Sequence, residues 1–275
     1  MMVREWTERV PQTYRLEKLQ QELILRQKRQ SFQVRLWQWG LLFAGFLFWE
    51  GASRQGWLDP LLFSSPSAVF RLLEELAREG TLWTHIGVTV YETVVGFALG
   101  VLGGALVAFL LWLFPFLLRI LDPYLVVLNS LPKIALGPVF IVAFGAGTRA
   151  IMVIAAFVSI FVTIQVLISA FRDVDENYVR LARSFGATKG MIFRKIIFPA
   201  CLPMLLATLK VNIGLAWIGV IVGEFLVGKK GLGALIVYGF QIFNFTYVYA
   251  GILLVALLAS SMYVAFQALE DRYGG

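Results

Sequence analysis

The sequence predicts an all-α, polytopic membrane protein with about six transmembrane helices. Hydrophobic residues make up 59% of the 275 positions, whereas soluble domains have about 45–50%. Several windows longer than 18 residues carry few charges, which is typical of membrane-spanning helices. Lys and Arg cluster in only some of the connections between these windows. A multi-pass bundle with short loops follows from these three observations.

The first 35 residues are polar and charged, and we expect a cytoplasmic, helical segment there that precedes a transmembrane domain over 36–275. Leu16, Leu19 and Leu23 share one face of such a helix. Two interpretations stay open for this face. It is either a weak apolar stripe on a solvated helix or the contact of an amphipathic helix with the membrane surface.

Six spans follow, at about 36–53, 86–112, 117–144, 150–171, 198–222 and 245–267. The first is the weakest, because Gln38 interrupts it and Glu50 lies near its end. Before the second span, a segment that starts at Ser65-Pro66 and stops at Gly80 predicts a short amphipathic helix. A Gly-punctuated connection with another amphipathic segment separates the fifth and sixth spans.

Two spans have unusual compositions. The second contains Gly96, Gly100 and Gly104, a small-residue spacing that lets another helix approach closely, either within this chain or across a dimer seam. The third contains Pro123, Pro132 and Pro138 and is predicted to be broken. Broken helices at membrane depth occur where they are buried in protein or line a watery cavity.

The distribution of Lys and Arg predicts the orientation. With both termini cytoplasmic, sixteen of these residues lie inside and six outside, as the positive-inside rule requires. This distribution also accounts for the net charge of +7 without nucleic acid as a partner. One cysteine, Cys201, and one histidine, His85, exclude an intrachain disulfide and make a metal site very unfavourable. No cluster of catalytic residue types is present, so we expect no enzyme.

A basic segment, YVRLARSFGATKGMIFRKIIFPACLP, separates the fourth and fifth spans on the predicted cytoplasmic side. We interpret it as two short helices. Acidic residues from Asp173 to Glu176 suit the positive end of the first helix dipole. Gly186 supplies the turn, and Thr188 caps the second helix. The alternative is a positively charged loop that only sets the topology.

This segment resembles the cytoplasmic coupling loop of binding-protein-dependent ABC importer permeases. Their pattern is Glu-Ala-Ala, three residues, Gly, nine residues and Ile-x-Leu-Pro. Ala182, Gly186, Ile196 and Pro199 match it, whereas Arg180, Leu181 and Phe198 depart from it. Three further stretches resemble the nitrate, sulfonate and taurine branch of these permeases: FSSPSAVFRLLEEL, LDPYLVVLNSLPKIALGPVFIVAFGAG and LKVNIGLAWIGVIVGEFLVGKKGLGALI.

The resemblance implies a type I, MetI-like permease fold in the inner membrane of a prokaryote. Its expected partners are a second copy of the chain, two ATP-binding cassette ATPases, an extracytoplasmic solute-binding protein and membrane lipid. This chain would bind no cofactor, with ATP and Mg on the ATPases. The coupling loop would be 172–197, with contacts through Tyr178, Arg180, Leu181, Ala182, Arg183, Gly186, Ala187, Ile196 and Pro199.

A nucleotide site in the chain itself is excluded on chemical grounds. The stretch from Gly223 to Lys230, GEFLVGKK, has the spacing of a phosphate-binding loop. Lys230 stands where that loop needs a hydroxyl for Mg²⁺, and no strand precedes it. Energy for uphill transport would therefore come from a partner.

Polar residues within the spans predict a translocation path, because ionisable groups at membrane depth usually face a cavity or a partner. The resemblance to these permeases implies a small anionic substrate such as a sulfonate, taurine, nitrate or bicarbonate, with a thiamine-precursor pyrimidine or riboflavin as the alternative cargo. The alternative function is a stand-alone ion-driven carrier. Lys133 and Lys210 would either line the path or snorkel, and Glu224 would lie at the outer mouth, on the binding-protein side. The predicted path residues are Asn129, Ser130, Lys133, Lys210 and Asn212.

Overall fold

The computed structural model describes residues 12–273, which form helices joined by short connections and contain no strand. Apolar runs with few breakers explain the long helices, and Pro or Gly residues mark most of their ends. The helices are α1 (Gln12–Arg54), α2 (Pro60–Phe63), α3 (Pro66–Arg78), α4 (Thr81–Leu113), α5 (Pro115–Ser130), α6 (Gly137–Phe144), α7 (Thr148–Asp173), α8 (Glu176–Ser184), α9 (Lys189–Ile192), α10 (Phe198–Val227), α11 (Leu232–Gln241) and α12 (Phe245–Tyr273).

Among the described residues, four helical stretches are long and apolar enough to cross a membrane: α4, α7, α12 and the continuous stretch Lys189–Val227. A fifth span results if α5 and the helical stretch Lys133–Phe144 are counted together as one broken span. The two parts meet at an angle of 90°. The all-helical, multi-pass prediction is thereby confirmed, including the break in the third span. The weak span at 36–53 lies inside α1, which is not among these apolar helices, and its insertion stays a prediction.

Helix α7 is the central element of the bundle. Its buried side chains include Ile154, Ile164 and Leu167, and it packs against α4 on one side and α10 on another. The glycines of α4 make the first contact close. A Cβ added at Gly100 would lie 2.8 Å from Ser159 Cβ, and one at Gly104 would lie 2.6 Å from Thr163 Cβ. The small-residue stripe is therefore used within the chain, which decides between the two interpretations left open by the sequence.

The chain divides into two compact units. The first comprises the described residues 12–60 together with 65–67, and within it Glu50 pairs with Arg54 at 2.6 Å and accepts the Ser67 N–H at 2.9 Å. The second comprises 61–64 and the chain from 68 onward. In that unit the predicted stripe of α3 is confirmed, because Val69, Leu72 and Leu76 are buried. The face predicted from Leu16, Leu19 and Leu23 lies outside the described side chains.

Candidate functional site

The basic segment between the fourth and fifth spans forms the two predicted helices, α8 and α9. The Asp175 carboxylate caps α8 by accepting the Asn177 N–H at 2.8 Å. The Thr188 hydroxyl oxygen accepts the Met191 N–H at 3.4 Å at the start of α9. Between them Gly186 has φ of 79°, a left-handed conformation that glycine adopts without strain. We call residues 175–192 the coupling segment.

The coupling segment has two apolar faces with different surroundings. Its inner face, formed by Val179, Ala182 and Ala187, packs on a buried cluster that includes Ile192 and Ile197. Its outer face carries apolar side chains that nothing in the described chain covers. These are Tyr178, Leu181 and Phe185, which are 62%, 57% and 83% exposed. The spacing i, i+3, i+7 aligns them on one stripe, which runs along α8 and ends at its C-cap residue Phe185. We call it the outer stripe.

The sequence prediction omitted Phe185, the most exposed member of the outer stripe. The helical spacing from Tyr178 and Leu181 could have identified it, but the family pattern has no apolar residue fixed there. The predicted Arg180 forms an exposed pair with Glu176 at 2.6 Å, and Arg183 is exposed one turn further on. Beyond the segment, a short π-helix from Phe193 to Ile197 contains the half-buried Ile196, and Pro199 lies in the first turn of α10.

A second polar group lies at the bend between α5 and the turn that starts at Lys133. Lys133 Nζ donates to Asn129 O at 2.9 Å and to Asn129 Oδ1 at 3.0 Å. Asn129 Nδ2 in turn donates to Gln165 Oε1 on α7 at 2.7 Å. In the described part of the chain no carboxylate lies within salt-bridge distance of Lys133. We call Asn129, Lys133 and Gln165 the bend triad; sequence reasoning missed Gln165.

The other predicted path residues are placed differently. Asn212 is fully buried between α10 and α7 and donates to Thr163 Oγ1 at 2.8 Å, so a place on a path wall does not fit it. Lys210 pairs with Glu270 on α12, so its charge has a partner within the chain. Ser130 is exposed, and its hydroxyl donates to Val126 O in its own helix at 2.9 Å.

Glu224 lies near the end of α10, inside the bundle. Its side chain is 1% exposed, so direct contact with a docked protein does not fit this position. Glu224 Oε1 accepts the Thr89 hydroxyl of α4 at 2.6 Å, and Oε2 accepts the Gly233 N–H of α11 at 2.5 Å. Leu232 N–H donates to Thr89 Oγ1 at 2.7 Å and so joins the same network. Glu224 therefore ties α4, α10 and α11 together, a role that one sequence did not reveal.

His85 extends this network at the same end of the bundle, since the Gly231 N–H donates to His85 Nδ1 at 3.1 Å. At the opposite end of the bundle, Arg119, Arg172 and Lys189 border one cleft. These are cations that the sequence predicts on the cytoplasmic side. The structure thus separates the network of Glu224 from the coupling segment along the length of α4 and α10.

A bundle of long apolar helices, with one span broken by a 90° bend, defines the class of a multi-pass membrane protein. Comparison with known proteins gives the family. Residues 100–275 match the model of the binding-protein-dependent transport system inner membrane component, and the chain belongs to that family. It is a family of transport permeases, not of enzymes.

The chain is similar to permeases named for sulfonate transport. It is 28% identical to the aliphatic sulfonates transport permease protein SsuC of Escherichia coli K12 over 86% of this chain and 90% of that protein. It is 26% identical to the taurine transport system permease protein TauC of the same strain over 82% and 84%. Among solved structures it resembles the MetNI methionine ABC transporter in an inward-facing conformation, with a TM-score of 0.62 and 20% identity over 72% of this chain and 98% of that one. The MetI-like fold predicted from the sequence is thereby confirmed.

Proposed function

We propose that this chain is the membrane subunit of an ATP-driven importer for a small organic anion of the sulfonate or taurine class. It would act as a homodimer in the inner membrane of a prokaryote, with both termini in the cytoplasm. An extracytoplasmic binding protein would deliver the solute, and two partner subunits would hydrolyse ATP with Mg²⁺. The alternative cargoes, a pyrimidine precursor of thiamine and riboflavin, differ in charge and size and can be separated by experiment.

The outer stripe of the coupling segment carries the assignment of ATP coupling. Tyr178, Leu181 and Phe185 stay exposed although the opposite face of the same short segment packs on the core. Exposed aromatic and aliphatic side chains that project from a rigid element are typical anchors of protein interfaces. Helix α7 ends just before this segment, and α10 begins just after it. Movement of a partner bound to the segment would therefore tilt both helices together. Rigid-body shifts of this kind switch bundles between alternative packings.

The bend triad supports an anionic cargo. Lys133 donates only to neutral oxygens of Asn129 in the described chain, so its charge is not cancelled by a carboxylate. Inserting an ionisable group at membrane depth costs at least about 2.5–3.5 kcal/mol of free energy on insertion scales. Because of this cost, such groups in spans usually have a function. The 90° bend beside Lys133 interrupts the span, as in transport sites built from broken helices. A sulfonate oxygen would be attracted to this ammonium group.

Reconstitution of the chain with its ATPase and binding protein in liposomes tests the proposal. We expect ATP-dependent uptake of taurine or an alkanesulfonate, and no uptake of riboflavin or of a formylaminopyrimidine. Lys133→Ala should reduce anion uptake while leaving ATPase assembly intact, and Lys210→Ala is the matched control for loss of a membrane-depth lysine. Normal uptake by Lys133→Ala would return Lys133 to a structural role, and uptake without ATP would contradict the proposal.

A further inference from the structure

A cleft of about 690 Å³ lies behind the coupling segment, where the turn between α4 and α5 meets the end of α7. Five cationic side chains border it: Arg119, Arg172, Arg180, Arg183 and Lys189. They come from different elements, namely α5, α7, α8 and α9. We call this cavity the basic cleft. The sequence analysis placed Arg180 and Arg183 among the coupling contacts and counted the other three only for topology, whereas the coupling proposal above rests on the outer stripe.

Charge in the basic cleft is far from balanced. Glu176 pairs with Arg180 at 2.6 Å, and Asp122 lies 3.9 Å from Arg172. Within the described residues, no carboxylate lies within salt-bridge distance of Arg119, Arg183 or Lys189. Three like charges on three separate elements repel each other unless an anion lies between them. The cleft is therefore electrostatically complementary to an anion.

The floor of the basic cleft indicates which kind of anion it takes. Leu118, Phe171 and Ile192 line it and are buried in the chain, and Trp112 lines it as well. A free inorganic anion gains nothing from apolar walls, whereas a phospholipid presents a phosphate joined to glycerol and acyl chains. The cleft also lies where the apolar helices α4 and α7 end, and the ends of membrane-spanning helices meet the headgroup region of a bilayer.

We propose that the basic cleft binds one anionic phospholipid, with its phosphate between Arg119, Arg183 and Lys189 and its glycerol region on the apolar floor. The inference rests on the proposed function for one point, the cytoplasmic orientation of this end. The cytoplasmic leaflet is anionic, and basic pockets between spans on that side suit anionic headgroups. A lipid held there would bridge α5 to the coupling segment and thereby stiffen the connection through which force reaches the bundle.

Lipid retention by the purified full-length chain tests this inference. The probes are dioleoylphosphatidylglycerol, dioleoylphosphatidylcholine and inorganic phosphate, with bound lipid counted by native mass spectrometry. We expect one phosphatidylglycerol per chain, retained at least tenfold better than phosphatidylcholine and not displaced by millimolar phosphate. Equal retention of both lipids would overturn the proposal, and displacement by phosphate would replace it with a free-anion site.

A charge-matched pair of variants makes the test specific. The variant Arg119→Gln/Arg183→Gln/Lys189→Gln removes the three unpaired cations of the cleft. The control Arg149→Gln/Lys229→Gln/Lys230→Gln removes three exposed cations that do not border it. We expect at least a tenfold loss of phosphatidylglycerol in the first variant and less than twofold in the control. Equal losses would show that only net charge attracts the lipid, and would overturn the site.

Two further measurements keep the outcome interpretable. Arg119 lies outside the coupling segment. The single variant Arg119→Gln should weaken retention of phosphatidylglycerol at least threefold and leave the circular dichroism spectrum unchanged. Full retention of the lipid would contradict the proposal. Adding the ATPase partner should leave the lipid bound; its release would assign the cleft to an acidic partner surface instead. Neither result depends on uptake, so failure of the lipid site leaves the test of transport unaffected.

Discussion

The buried helix core and the coupling segment use apolar residues in opposite ways. In the core, Gly100 and Gly104 have no side chain of their own, which lets Ser159 and Thr163 of α7 lie close to the α4 backbone. Glu224 ties α4, α10 and α11 together by hydrogen bonds. In the coupling segment, Leu181 and Phe185 are left exposed. The apolar residues of the first region are packed within the chain, whereas those of the second are the surface that we propose a partner covers.

We therefore expect substitutions in the two regions to have different effects. Substitutions in the core should lower the stability of the chain and, through it, every activity. Substitutions on the outer stripe should leave the chain folded and remove its response to a partner. Close helix packing at small residues depends on van der Waals contact, whereas an interface depends on a few large anchors.

The largest effect is expected on the outer stripe. Phe185→Asp should abolish co-purification of the ATPase partner, because loss of an interface anchor costs about 2 kcal/mol or more and a carboxylate replaces an apolar contact. The thermal stability of the purified chain should not change. Phe243→Asp is the control, since Phe243 is 76% exposed against 83% for Phe185 and lies after α11. Equal loss of the ATPase from both variants would show that the outer stripe is not a specific contact, which contradicts the prediction.

The next effect is expected at Glu224. Glu224→Ala leaves the Thr89 hydroxyl and the Gly233 N–H without their acceptor in a buried site, at about 1–3 kcal/mol for each group. Unfolding in mixed micelles by sodium dodecyl sulfate, followed by circular dichroism, measures the loss. Glu74→Ala removes an exposed pair with Arg78 and should change stability by less than about 1 kcal/mol. If both variants unfold alike, the buried network does not stabilise the core.

A smaller effect is expected where α4 meets α7. Gly100→Ala places a methyl group 2.8 Å from Ser159 Cβ and should cost about 1–3 kcal/mol by overpacking. Gly103→Ala lies on the same helix, and its methyl group would meet only Ile160 Cδ1 at 3.5 Å. The same unfolding assay should therefore separate these neighbours, and identical midpoints would argue against close packing as the determinant.

The smallest effect is expected at Gly186, where the space around the added Cβ is open and only the backbone is strained. Gly186→Val should cost about 1–2 kcal/mol within the coupling segment and weaken ATPase binding about tenfold, as that free energy implies. Gly186→Asn is the control, because Asn tolerates the left-handed region. The affinity measured by fluorescence titration should follow the order Gly, Asn, Val, and equal affinities would show that the turn is not critical.

Much of the fold could be predicted because its determinants are local. Runs of apolar residues set the spans, prolines mark the break around Lys133, and Asp175, Gly186 and Thr188 mark the ends of α8 and α9. The basic coupling segment was predicted for the same reason, as its caps and its turn lie within a few residues of each other.

The sequence did not reveal contacts between distant parts of the chain. Asn212 was predicted on a path because polar residues in spans often face cavities, and its partner Thr163 lies on another helix. Glu224 was predicted at the outer mouth, and its partners Thr89 and Gly233 come from α4 and α11. Lys210 finds Glu270 on α12. Such pairings depend on how helices rotate about their axes, which one sequence does not specify.

Site-specific photo-cross-linking tests the central claim most directly. A photoreactive phenylalanine would replace Phe185 in one sample and Phe243 in another, in membranes that contain all partners of the chain. We predict that position 185 cross-links to an ATP-hydrolysing subunit and that position 243 does not. An ATPase captured at position 243, or none at position 185, would contradict the claim that force from ATP hydrolysis enters through the coupling segment.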